Sequence, residues 1–96
     1  MSEACYFVYI LLCDNGSYYT GYTTDLTRRY QEHLDGTGKC KFTRSFKPLS
    51  IAQSWKIQGS KSTAMKAEKF IKTLSKAKKQ QLILFPENLS ECCQIS

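Results

Sequence analysis

Ninety-six residues with fourteen Lys and Arg against eight acids carry a formal charge of +6, in a chain with room for one domain only. The charge favours an anionic partner, nucleic acid ahead of a membrane surface, and no stretch is apolar for long enough to span a bilayer. The apolar fraction of 42%, with six Tyr, five Phe and one Trp, suffices for one compact core.

Residues 5–13, CYFVYILLC, are aromatic and β-branched and predict a first strand. An acid near the start and the lack of a basic n-region speak against a signal peptide. Asn15-Gly16 in the following DNGS is a strong hairpin signal, so YYTGYT (18–23) reads as an antiparallel return strand. Gly21 inside it implies a close backbone approach or a local bend. Thr24 or Asp25 can cap a helix that runs to about Leu34 and stops at DGTG. Leu26, Tyr30 and Leu34 form its apolar stripe. Residues 36–48 make a basic loop, and LSIAQSWKI (49–57) a third strand. TAMKAEKFIKTL (63–74) is helical, with Ser60 or Ser62 as its cap. Ser75 caps a shorter helix, KAKKQQLIL (76–84), closed by Pro86. The order β-β-α-β-α-α with a small antiparallel sheet is an α+β fold. One domain is expected over residues 1–84, followed by a short tail, 85–96, with little pattern of its own.

The five cysteines are odd in number and contain no C-x-x-C pair, and the lone His33 lies far from Cys40. A zinc site and a disulfide framework are therefore not expected. Free thiols and a cytoplasmic location are the simpler account.

Four tyrosines, two adjacent arginines and the single histidine crowd into residues 18–33. On the first helix Arg29 and His33 are one turn apart, at the edge of the apolar stripe. They serve either as boundary residues of the core or as phosphate-handling groups. On the second helix Glu68 shares a face with Ala64 and Ile71, flanked by Ala67 and Leu74. A carboxylate on an apolar face needs a partner, either an arginine or a hard divalent cation. Tyr9 and Tyr19 fit the edge of a core, and equally a cluster with Arg29 and His33 that positions a water and a phosphate. His33, which titrates near 6.5, is an easier base than a tyrosine. Lys39, Lys41 and Arg44 surround Phe42, and Lys76, Lys78 and Lys79 form a second basic cluster. Both suit a nucleic-acid backbone, and both also read as solvated charge.

VYI at 8–10, YTG at 19–21, Arg29, His33 and Glu68, in that order, resemble the GIY-YIG nuclease domain over about residues 5–80. The likeness is strongest to its small stand-alone, YhbQ-like members, through DNGSYYTG, TTDLTRRYQEH, FTR and AMKAEKFIKTLSKAKK. The resemblance implies a three-stranded antiparallel sheet flanked by helices. It also implies hydrolysis of nucleic-acid phosphodiesters, DNA before RNA, with one Mg²⁺ or Mn²⁺ ion. On that pattern Tyr9 and Tyr19 are the motif tyrosines, and Arg29, eight residues after Gly21, stabilises phosphate charge. Glu68 holds the metal, and Tyr9 or His33 takes a proton from the attacking water. Phe7 replaces the first motif's glycine and Thr20 the second motif's isoleucine; neither change removes a chemical group. Larger family members carry further DNA-binding domains, so targeting here is expected to be weak or to come from a protein partner. A homodimer is compatible with cutting two strands. The alternative function is a nucleic-acid binding module with little or no activity, acting with a partner.

Overall fold

The computed structural model describes residues 5–36, 46–58, 60–87 and 89. The element order is β1 (Cys5–Cys13), β2 (Tyr18–Thr23), α1 (Leu26–Asp35), β3 (Pro48–Gln58), α2 (Lys61–Lys72) and α3 (Lys76–Leu84). The expected β-β-α-β-α-α order is observed, with ends displaced by one or two residues. The three strands form one antiparallel sheet in the order β2-β1-β3.

The hairpin turns where the sequence placed it. Gly16 adopts a left-handed φ of 81°, a conformation only glycine reaches without steric cost. The Asn15 side chain accepts from the Ser17 N–H at 3.1 Å. The turn sets the register, pairing Tyr9 with Gly21 and Leu11 with Tyr19.

Period-two alternation divides the sheet residues between two faces. On one face Val8, Ile10 and Ile57 pack with Ala64, Ala67 and Ile71 of α2, Leu82 of α3, and Leu89. The small side chains of Ala64 and Ala67 let α2 lie close to the sheet. Burial of each large aliphatic side chain contributes about 1.5–3 kcal/mol. Residues beyond α3 share this core: Leu89 is buried, and the Trp55 indole N–H donates to the Pro86 carbonyl at 2.8 Å. On the other face Tyr9, Leu11 and Cys13 pack with Leu26 and Tyr30 of α1 and with Ile51.

Asp25 caps α1 by accepting from the Arg28 N–H, and Gly36 ends it at φ 69°. Ser75 caps α3 through the Lys78 N–H. Ser60 precedes α2 without a side-chain capping bond. Among the described residues no helix is long and apolar enough to cross a membrane.

Candidate active site

A cleft of about 400 Å³ lies beside β2, an edge strand of the sheet, and takes its lining from both faces. Tyr9, Tyr19 and Gly21 contribute from the α1 face of the hairpin, Arg29 from α1, and Glu68 from α2. Four residues singled out in the sequence, Tyr9, Tyr19, Arg29 and Glu68, thus border one space, although 59 positions separate the first from the last.

Tyr9 is set by strand pairing. It stands on the central strand with its ring across Gly21, and only 1% of it is exposed. Its hydroxyl is hydrogen-bonded to His33 Nε2 at 2.9 Å. His33 is itself 1% exposed and lies behind the two tyrosines rather than on the cleft wall. Its ring meets Tyr19 edge-on at 5.2 Å between centroids and Tyr9 at 5.9 Å. The apolar stripe expected on α1 is therefore altered: His33, and not Leu34, is the helix's fully buried residue. Burial holds the imidazole below its usual pKa, and the nearby Arg29 charge adds to this against a smaller opposing effect of Glu32. The ring is neutral at pH 7.

Arg29 points into the cleft while its neighbour Arg28 stays more exposed. Both guanidiniums grip one carboxylate: Arg29 Nη1 donates to Glu32 Oε1 at 2.9 Å and Arg28 Nη1 to Glu32 Oε2 at 2.8 Å. Burial pulls the Arg29 pKa down, but hydrogen bonds to Glu32 and to the Tyr9 oxygen more than offset it. Arg29 is permanently charged and directionally fixed. The Glu32 carboxyl is held below the usual carboxylate range, chiefly by the Arg29 hydrogen bond.

The Glu68 side chain is 16% exposed, and its Oε2 lies 3.5 Å from Lys72 Nζ, whose side chain is half exposed. An i,i+4 pair of this kind contributes only about 0.3–0.5 kcal/mol, so the carboxylate is readily exchanged onto another cation. Among the described residues no group of three or more His, Cys, Asp or Glu side chains is arranged to hold a metal. The donor set at the cleft is one carboxylate with neighbouring hydroxyls. That set fits a hard, well-hydrated divalent ion whose other positions are filled by water and phosphate, and it does not fit a closed zinc site.

A GIY-YIG catalytic domain model matches residues 5–81. The chain belongs to the GIY-YIG family. Membership brings a nuclease-type function with it. Many small proteins of this family resemble it. The UPF0213 protein BH0048 of Halalkalibacterium halodurans is 46% identical over 78 residues, covering 81% of each chain. The UPF0213 protein VNG_2274C of Halobacterium salinarum is 47% identical over 75 residues, covering 78% of this chain and 95% of the other. The solution NMR structure of the UPF0213 protein BH0048 from Bacillus halodurans matches with a TM-score of 0.54 at 44% identity, covering 84% of each chain. These matches span most of both chains.

Of the basic residues singled out, Lys76 and Lys79 face one cavity with Ser17 and Tyr18, and Lys78 is exposed elsewhere on α3. Residues three apart share a helix face and residues two apart do not, which is why the three lysines do not act as one cluster. Lys39, Lys41 and Arg44 lie outside the described residues. Sequence reasoning missed Tyr6, Tyr22 and Lys61, which line the cleft together with Thr23, Thr24 and Arg28, and Glu32, which orients Arg29. A signal for Glu32 was present: an acid three and four residues after paired arginines on a helix.

Proposed function

We propose that this GIY-YIG protein is an endonuclease that hydrolyses nucleic-acid phosphodiesters, DNA in the first instance, with one bound Mg²⁺ or Mn²⁺. The observation that carries the reading is the convergence of the Tyr9 hydroxyl, the Arg29 guanidinium and the Glu68 carboxylate on one open cleft. Glu68 would hold the divalent ion, which when bound supplies charge neutralisation at the scissile phosphate. Arg29, fixed by Glu32, faces phosphate oxygens and stabilises the charge that grows there in the transition state. Tyr9 is the proton-handling group at the cleft surface. Its hydroxyl meets a neutral imidazole on one side and a guanidinium on the other. His33 acts through Tyr9, and Tyr19, which lines the same cleft, would position the attacking water. The excess positive charge of the chain favours association with the anionic backbone.

The test is nicking of supercoiled plasmid with Mg²⁺ or Mn²⁺ by the full chain. Glu68→Ala and Arg29→Ala are each expected to lower the rate by about 100-fold or more. Wild-type protein that binds DNA in a salt-sensitive way yet never nicks it would favour the binding-module alternative. Equal nicking by wild type and Glu68→Ala would overturn the metal role of Glu68.

A further inference from the structure

Tyr18 divides two small cavities on the α2/α3 face of the sheet. The first, about 200 Å³, is lined by Ser17, Tyr18, Lys76 and Lys79. The second, about 280 Å³, is lined by Tyr18, Gln80, Ile83 and Leu84. Their chemistries differ. One offers two ammonium groups and a hydroxyl; the other offers an aromatic ring, aliphatic surface and one amide. Among the described residues neither Lys76 nor Lys79 has a carboxylate partner, and Leu84 is 72% exposed.

We propose that these paired cavities form a single-nucleotide subsite: one phosphate held by Lys76 and Lys79, and the adjoining unpaired base stacked on Tyr18 beside Ile83 and Leu84, within reach of Gln80. Three observations support the assignment. Lys76 Nζ stands over the Tyr18 ring, 6.0 Å from its centroid, so the ammonium occupies the side of the ring toward the first cavity and the base is assigned to the side that lines the second. Lys79 is held below the ordinary lysine pKa by burial and by the charge of Lys72; a bound phosphate would relieve that repulsion. The subsite also neighbours the cleft, since Lys72 pairs with Glu68 of the cleft at 3.5 Å and its charge reaches Lys79. Stacking on an aromatic ring accepts any base, and it requires the base to be out of a duplex. The substrate class is therefore a strand with an unpaired nucleotide near the cut, such as a flap, a bulge or a single strand. The position of the scissile bond rests on the nuclease reading above; binding in the subsite does not.

The experiment compares fluorescence anisotropy of a labelled single-stranded 12-mer and its duplex on the full chain carrying Glu68→Gln, so that cleavage cannot interfere. Tyr18→Leu is expected to weaken single-strand binding about tenfold and duplex binding less than twofold, while Tyr18→Phe restores it. Lys76→Gln with Lys79→Gln, both on the surface helix, is expected to lower the slope of log affinity against log salt for the single strand by about 0.7, the share of one phosphate. Equal losses for single strand and duplex, or no change in either variant set, would overturn the subsite. Should Tyr18→Leu fail to fold by circular dichroism, the lysine pair decides. An intact single-strand effect in a protein whose wild type never cuts would sink the nuclease reading and leave the subsite standing.

Discussion

The Tyr9 hydroxyl fills the space in which a side chain at position 21 would begin: a Cβ built on Gly21 would lie 2.6 Å from Tyr9 Oη and 2.8 Å from its Cζ. No real Cβ tolerates such contacts, and Tyr9 is too buried and too firmly tied to His33 to swing aside. Gly21→Ala is therefore expected to displace the Tyr9 ring. Overpacking of this kind costs about 1–3 kcal/mol, and any nuclease activity should fall by about tenfold or more because the hydroxyl no longer faces its partners. Urea unfolding and plasmid nicking on the same preparation check both.

The buried, neutral His33 makes stability depend on pH. Its folded pKa lies below the ordinary value of 6.5, so the unfolded chain takes up a proton first as pH falls. The contribution is fully present above about pH 6.5 and is lost as pH drops from there toward the folded pKa, at about 1.4 kcal/mol for each pH unit between the two. Glu32, with a depressed pKa, loses its contribution only in the acid region below its ordinary value of 4.5. Urea midpoints at pH 7.5 and pH 5.5 should differ in wild type, and His33→Phe should remove most of the difference.

Thr20 stands where the family motif commonly has isoleucine, and its hydroxyl is buried with no hydrogen-bond partner among the described residues. Thr20→Val keeps the shape and deletes the unsatisfied oxygen. A gain of about 1 kcal/mol is expected, read as a rise in the urea midpoint at unchanged slope.

Leu89 belongs to the main core although it follows the last long helix. Leu89→Ala should cost about 2–5 kcal/mol. The fluorescence of Trp55, whose indole donates to the Pro86 carbonyl, reports the transition directly. A loss under 0.5 kcal/mol would mean that this segment does not hold the fold together.

Much of the architecture was legible in the residues. Asn15-Gly16, the Asp25 cap and the Ser75 cap are local signals that act where they stand. Glu68 was legible as a carboxylate on an apolar helix face. The position of His33 was less so. A helical wheel places it at a boundary, and only the packing of α1 against the two tyrosines makes it one of the most buried groups in the chain. Least legible was the meeting of α1 and α2 residues in one cleft, although the two helices cover opposite faces of the sheet. That depends on β2 being an edge strand, a fact of strand order that no local pattern contains.

The bridge from His33 to Tyr9 ties an imidazole of the interior to a tyrosine of the cleft. A laboratory selection for heat resistance would be drawn to such a position, since a hydrocarbon ring there avoids the desolvation of a polar one. Each winner would let the tyrosine's oxygen drift. Position 33 is thus where durability and the placing of the Tyr9 hydroxyl are set against each other, and hardier versions of the protein should be sought elsewhere.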